Sequence, residues 1–309
     1  MDLFLNYIET LFFLGIVVLI GVIIGRVFKL SIKNISIFNE FCLTPLFIFG
    51  SIILVEINLS LLWIVIFAFL LMSVVSILSW KLTEKFTAEK TGNLVGLCAG
   101  MGNSGNYGIP IVKVLFGSNI VPLYSLFIVA QIIYTATVGY YIASREQRPM
   151  MDAVKFVLKL PLVYAGLLAL IIQLGYPDTS TQVETFILQY WDWFLNIVIG
   201  MGLLIMGLGF ASMKIHDFKI KFQTLVFLTR FGLFPLLTVL FIIIDQQFLH
   251  LLTTEIYHLF IIFSILPCAI TITILAAMTN IEPGRAAAAI LTTTIFATFF
   301  IPIVAYLWF

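Results

Sequence analysis

Two asparagines and a serine stand in a glycine-rich run at the centre of an otherwise apolar segment. Residues 92–117 have the length and apolarity of a membrane span, but their middle reads Gly-Asn-Ser-Gly-Asn-Tyr-Gly-Ile-Pro, from Gly102 to Pro110. Glycine and proline at this density predict a break in the helix. Because lipid cannot satisfy unwound backbone, such a break is expected only inside protein or beside a cavity. Broken helices at mid-membrane depth are typical of substrate sites in secondary transporters.

The residues around this break favour an anion as the ligand. We expect the second half-helix to begin near Pro110, since proline is tolerated in a first turn. Its N-terminus would present N–H groups and roughly half a positive charge. The alternative is close packing on a neighbouring helix, but the glycines are too dense for one packing face. We predict substrate contacts from Asn103, Ser104, Asn106, Tyr107, Gly108, Ile109 and Pro110.

A second break is predicted at Pro267, in the apolar run 256–279. A packed proline kink is the alternative. We favour a functional break because matched interruptions in two halves of a transporter point to the site between them. Pro267, Thr271 and Thr273 are then expected to line the site opposite the first break.

The composition indicates a protein that is surrounded by a lipid bilayer. The chain has 309 residues, of which 62% are hydrophobic and 10% charged, with a mean hydropathy of +1.15. Soluble domains carry about 25% charged residues. Since a span needs about 20 apolar residues, we predict ten membrane helices. They lie near 10–28, 35–55, 60–80, 92–117, 121–143, 155–174, 185–212, 222–244, 256–279 and 285–308.

Basic residues collect on one side of these spans. All Lys and Arg residues except Lys113 and Arg230 fall in or beside the connections that follow odd-numbered spans. The other connections carry acidic and neutral residues such as Asp178 and Glu255. Because basic residues favour the cytoplasmic side, we predict a plasma-membrane protein with both termini outside.

The longest cytoplasmic connection, 144–151, divides the chain into two halves of five spans. We therefore predict one repeat at 1–150 and a second, inverted repeat at 151–309. In this arrangement spans four and nine correspond, and these are the two spans that carry the predicted breaks. The glycines of spans one and seven, including Gly21 and Gly207, are expected to pack helices closely.

Charged side chains within spans need an explanation, because each costs about 2.5–3.5 kcal/mol at the bilayer centre. Lys113 could extend to the interface or add positive potential near the site. Arg230 could pair with a substrate carboxylate, but we favour its extension to the cytoplasmic interface. Glu40 is expected near that interface, and Asp192 in an aromatic belt.

Several catalytic patterns are absent from the sequence. It has no GxxxxGK[ST] phosphate loop and no HExxH zinc motif, and Ser104 lacks the spacing of a nucleophile elbow. The three cysteines lie in apolar runs without metal-type spacing. We therefore predict that the protein is not an enzyme, has no cofactor or metal, and does not bind nucleic acid.

The run GNSGNYGIPIVKVLFG resembles the fourth-span signature of the auxin efflux carrier family, whose bacterial members include predicted malate and malonate permeases. Plant members place an asparagine seven residues before the proline, as Asn103 stands before Pro110. The run from Leu266 to Pro302 resembles the ninth and tenth spans of the family. Gly202 is a departure, since it stands where the family often has a proline in span seven.

This resemblance implies two inverted five-helix repeats with crossed, broken helices four and nine. It implies a scaffold of helices 1, 2, 6 and 7 that forms a homodimer, and a transport domain of helices 3–5 and 8–10. The latter would carry small organic anions, such as malate or malonate, by elevator-like alternating access.

Two other functions remain open from the residues alone. One is a passive channel or membrane sensor. The other is a cation-coupled carrier of larger amphipathic anions, similar to the bile-acid transporters that share this architecture. The sequence leaves open the direction of transport and the coupling ion.

Overall fold

The fold is all-helical and of a multi-pass membrane type. The computed structural model describes residues 2–28, 32–55, 59–87, 89–144, 158, 161–211, 218–279 and 281–308. Within these ranges, strand-type pairing is confined to a single bridge between Gly102 and Cys268. Six of the described helices are long and apolar enough to cross a membrane. The ten-span topology therefore stays a prediction, because several predicted spans appear as shorter or divided helices.

The described part of the N-terminal half contains six helices, of which α4 and α5 together occupy the predicted fourth span. Helices α2 and α6 each contain a π-helical turn, at Asn39–Leu43 and Thr135–Gly139. The helices are α1 (Asp2–Phe28), α2 (32–53), α3 (Leu59–Glu84), α4 (Glu89–Gly100), α5 (104–116) and α6 (Val121–Ser144).

The described part of the C-terminal half also contains six helices, with α10 and α11 together occupying the predicted ninth span. Helix α9 contains π-helical turns at Leu228–Leu233 and Asp245–Leu249. The helices are α7 (Pro161–Gly175), α8 (Pro177–Ala211), α9 (Ile220–Leu249), α10 (Thr254–Ser264), α11 (Thr271–Met278) and α12 (Pro283–Trp308).

Helices α1 and α8 lie close together because both carry glycine at the contact. The Cα of Gly207 lies 3.0 Å from the position that a Cβ on Gly21 would take. One helical turn further, a Cβ on Gly25 would lie 2.7 Å from the Cβ of Ala211. Small residues allow two helix backbones to approach in this way inside a membrane. The predicted role of these glycines in helix packing thus takes the form of a contact within one chain.

A second close contact brings α4 against α3. A Cβ on Gly96 would lie 2.9 Å from the carbonyl oxygen of Ser76, and one on Gly100 would lie 2.8 Å from that of Met72. The hydroxyl groups of Ser76 and Tyr134 bond to each other at 2.6 Å beside this contact. Glycine packing therefore fixes the first half of the broken fourth span, as the alternative interpretation of this segment expected.

We predict that Gly207→Ala destabilises the protein by about 1–3 kcal/mol, because overpacking of a close contact forces backbone shifts. The new Cβ would overlap the carbonyl oxygen of Val18 in α1. The matched control is Gly200→Ala in the same helix, where no atom lies within 4 Å of the new Cβ. Thermal unfolding in detergent should show a lower Tm for Gly207→Ala alone. Equal Tm values would contradict the α1–α8 contact.

Candidate functional site

The two breaks in the predicted spans four and nine meet and bond to each other. The N–H of Asn103 donates to the carbonyl of Pro267 at 2.8 Å, and the N–H of Ala269 donates to that of Met101 at 2.9 Å. Between these bonds, Gly102 and Cys268 pair in antiparallel fashion. We call this pairing the crossing. It places Pro267 directly against the asparagine-containing break, although the two segments lie more than 160 positions apart in the sequence.

Helix α5 begins with a π-helical turn that the sequence did not indicate. Its first turn is the π-helical segment Ser104–Gly108, in which the carbonyl of Asn103 accepts the N–H groups of Tyr107 at 3.3 Å and Gly108 at 2.9 Å. The α-helical portion then begins at Ile109, in agreement with the expected start near Pro110. The glycines in this run disfavour regular helix, so a π-helical turn was not expected here.

The π-helical turn places further N–H groups beside the break. Pro110 lies near the start of the α-helical portion Ile109–Phe116, where its missing N–H is harmless. The first N–H groups of a helix have no preceding carbonyl in that helix. Gly105 and Asn106 now occupy this first turn.

A fully buried arginine closes the crossing. Arg230 lies in the π-helical turn Leu228–Leu233 of α9 and has no exposed surface. Its Nε donates to the carbonyl of Leu266 at 2.7 Å, Nη1 to that of Ala99 at 2.9 Å, and Nη2 to that of Phe263 at 3.2 Å. Ala99 and Phe263 belong to the last turns of α4 and α10. One guanidinium thus caps the C-termini of both half-helices.

The preferred sequence interpretation of Arg230, extension to the cytoplasmic interface, is wrong. The side chain points into the protein, where the ring of Phe234 lies 4.9 Å from its Cζ. The physical reason is that two helix ends leave carbonyl groups without partners at membrane depth, and each would cost several kcal/mol in lipid. A planar guanidinium with five N–H donors can satisfy several of them together.

The crossing is electropositive on the side of the helix N-termini. Each helix end carries roughly half a charge, so the C-termini of α4 and α10 together supply about one negative charge. Arg230 offsets that charge. The N-termini of α5 and α11 begin next to the crossing, at Ser104 and Thr271, and their positive ends remain without a counter-charge among the described residues. This balance favours an anion.

The predicted asparagines both lie next to α8. Asn103 is buried, and its Nδ2 lies 3.9 Å from the Sδ of Met206. Asn106 is partly exposed, and its Oδ1 lies 2.8 Å from the position that a Cβ on Gly202 would take. Gly105, also partly exposed, has open space on its Cβ side. The absence of a side chain at Gly202 leaves room for Asn106, where the family often has proline.

The other predicted residues of α5 are engaged in packing and hydrogen bonds. The hydroxyl of Ser104 donates to Oε1 of Gln131 at 2.9 Å, and that of Tyr107 lies 3.2 Å from the hydroxyl of Thr298. The hydroxyl of Tyr124 donates to the carbonyl of Ser104 at 3.2 Å. Gly108, Ile109 and Pro110 are buried.

Sequence reasoning missed the partners Gln131, Tyr124 and Thr298. Gln131 carried a signal that could have been used, because an amide in the middle of an apolar span needs a partner.

Thr271 and Thr273 stand at the start of α11. Thr271 is exposed, whereas the hydroxyl of Thr273 donates to the carbonyl of Ile270 in its own turn at 2.7 Å. Among the described residues, neither hydroxyl is hydrogen-bonded to α5. At the second break, the hydroxyl of Thr293 accepts a hydrogen bond from the N–H of Cys268 at 3.1 Å.

Lys113 has partners in α8 near the far end of α5. Its Nζ lies 3.2 Å from Oδ1 of Asp192 and donates to Oδ1 of Asn196 at 3.0 Å. The hydroxyl of Ser118 also donates to Asp192. A carboxylate therefore offsets the charge of Lys113, which argues against its role as a source of positive potential at the crossing. The backbone of Glu40 lies in the π-helical turn of α2, and its side chain is outside the described part of the structure.

An all-helical membrane protein with two crossed, broken helices and polar groups at the crossing belongs to the class of membrane transporters. Residues 6–155 match the model of a family described as membrane transport protein. This match confirms the resemblance of the N-terminal half of the chain to the auxin efflux carrier family. As members of the family are transporters, the match agrees with a protein that is not an enzyme. No curated protein matches the chain.

We predict that Gly102→Ala destabilises the protein by about 1–3 kcal/mol, because its Cβ would overlap Nη2 of Arg230 and overpacking strains the surroundings. The matched control is Gly105→Ala, three residues further on, where the new Cβ meets no atom within 4 Å. Thermal unfolding in detergent should separate the two variants. A Tm for Gly102→Ala that equals that of Gly105→Ala would contradict the position of the guanidinium.

Proposed function

We infer that this protein is a secondary transporter of small organic anions, with carboxylates such as malate or malonate as the substrate class. The single observation that carries this proposal is the charge balance at the crossing. Arg230 offsets the two helix C-termini, while the N-termini of α5 and α11 keep their positive ends. A carboxylate is the small ligand that such N-termini favour.

The proposed substrate position lies between the first turn of α5 and helix α8. Gly105 and Asn106 are the partly exposed members of that turn, and open space adjoins Gly105. The amide of Asn106 supplies a neutral donor, while the backbone of the turn supplies N–H groups. The space beside Gly202 brings α8 close enough to contribute the opposite wall.

The packing of the helices supports an elevator-like mechanism. The proposed scaffold of predicted spans 1, 2, 6 and 7 consists of α1, α2, α7 and α8. Within it, α1 packs along α8 and α2 packs along α7. Within the proposed transport domain, α3 packs along both α4 and α6. The first turn of α5 meets α8 across the boundary between these two groups. A substrate held at this boundary would change its access when one group moves against the other.

The proposed topology has ten spans in two inverted repeats, 1–150 and 151–309, with both termini outside the cytoplasm. The antiparallel pairing of Gly102 with Cys268 supports it, because inverted repeats place their corresponding breaks in opposite directions. The family match ends at residue 155, close to the proposed repeat boundary. We propose that the protein lies in the plasma membrane and forms a homodimer through its scaffold helices.

We predict that Asn106→Ala lowers saturable uptake of radiolabelled malate into proteoliposomes preloaded with unlabelled malate. Loss of one donor that strengthens binding by about 1–3 kcal/mol would reduce kcat/KM about 5–150-fold. Asn103→Ala should act in the same direction. The control is Asn119→Ala, which removes an exposed amide in the turn after α5. Normal transport by both Asn103→Ala and Asn106→Ala would place the substrate elsewhere.

We predict that Asp192→Asn speeds malate exchange by about 1.4- to 5-fold, because Lys113 and Asp192 join the proposed transport domain to the scaffold. An exposed ion pair of this kind is worth about 0.2–1 kcal/mol, and an elevator movement must break it. The control is Glu84→Gln, which removes the ion pair between Lys81 and Glu84 within α3. An unchanged exchange rate would contradict separation of α5 from α8 in the slow step.

A further inference from the structure

Three backbone carbonyl oxygens converge at the crossing from two helix ends and one break. They belong to Ala99, Phe263 and Leu266. In transporters with broken helices, carbonyls of unwound segments and of half-helix C-termini coordinate the coupling cation. Here the same kind of carbonyl group meets the guanidinium of Arg230 at 2.7–3.2 Å. The place where such a cation would bind is thus filled by a side chain of the protein itself.

The residues around Arg230 enclose its guanidinium, which occupies the cation position. Arg230 has no exposed surface, and Gly102 lacks the side chain that would displace it. The neighbouring polar groups are the thiols of Cys98 and Cys268 and the hydroxyls of Tyr124 and Tyr134, all on buried residues. Among the described residues, no carboxylate forms an ion pair with Arg230. The carbonyl groups are therefore its principal hydrogen-bond acceptors.

We propose that Arg230 is the resident cation of the crossing and takes the place of an exchangeable coupling ion. Because the guanidinium is covalently attached and always charged, it holds α4 and α10 together throughout the transport cycle. Anion transport then proceeds without a sodium gradient. The transport part of this inference rests on the proposed function, whereas the stabilising role of the cation at the helix ends does not.

The first test compares malate exchange by the wild-type protein in Na⁺, K⁺ and choline media. A coupled ligand typically changes the affinity for its partner about 5–150-fold, so we expect differences below about twofold. Stimulation by Na⁺ beyond that range would overturn the proposal. This measurement needs no variant, and it therefore decides the question even if substitutions of Arg230 prevent folding.

The second test uses thermal unfolding of Arg230→Ala in detergent, with Na⁺ or choline as the only cation. Removal of the side chain leaves the three carbonyl groups without a hydrogen-bond donor, so the Tm should fall when choline is the only cation. Na⁺ that fills the vacancy should restore about 3 °C or more, since a ligand that binds only the folded state raises its stability. Arg230→Lys keeps a charge and three donors, so it should have an intermediate Tm with no response to Na⁺.

The control for charge is Arg26→Gln, which removes an exposed arginine at the end of α1. Its Tm and that of the wild type should not respond to Na⁺. A folded Arg230→Ala protein whose Tm equals that of the wild type, or ignores Na⁺, would overturn the proposal.

The two proposals fail in different ways. If wild type shows no malate uptake but the Tm pattern holds, the substrate assignment fails while the role of Arg230 stands. If uptake is saturable yet requires Na⁺, the proposed function stands, but the proposal that Arg230 replaces the coupling ion fails.

Discussion

Backbone polar groups that have no helical partner at membrane depth are the constraint on which the whole arrangement depends. Two interrupted helices produce many such groups, and lipid can satisfy none of them. The two breaks solve part of the problem by pairing with each other, through Asn103 with Pro267 and Met101 with Ala269. Because each break needs the other, the two halves of the chain must bring them to the same place.

The remaining groups explain why residues from α9 and α12 reach the crossing. Arg230 binds three carbonyl groups that the pairing of the breaks leaves over, and Thr293 accepts the N–H of Cys268. The cost of burying a guanidinium is high unless it is fully hydrogen-bonded. The helix ends provide those acceptors, and Phe234 covers the charge with its ring. The charge and the carbonyl groups are thus each acceptable only because the other is present.

The sequence predicted the positions of the breaks better than the contacts around them. The glycine-rich run before Pro110 and the proline at Pro267 are local features, and each marks a place where helical hydrogen bonds fail. The partners are not local. Hydropathy shows that Arg230 is costly, but it does not tell whether the side chain turns inward or toward the interface. The start of α5 at Ser104 was also missed, because glycine propensity disfavours the π-helical turn that neighbouring residues stabilise.

The contacts of α5 divide between those that hold it and those that leave it free to bind. Ser104 and Tyr107 form hydrogen bonds with α6 and α12, so one side of the first turn is fixed. The other side bears Gly105 and Asn106 and meets α8, where Gly202 makes room for Asn106. A rigid first turn keeps its N–H groups oriented, which lowers the entropic cost of binding an anion. The face that remains open is therefore the one at the boundary with α8, where relative movement of the two helix groups would alter access to a bound anion.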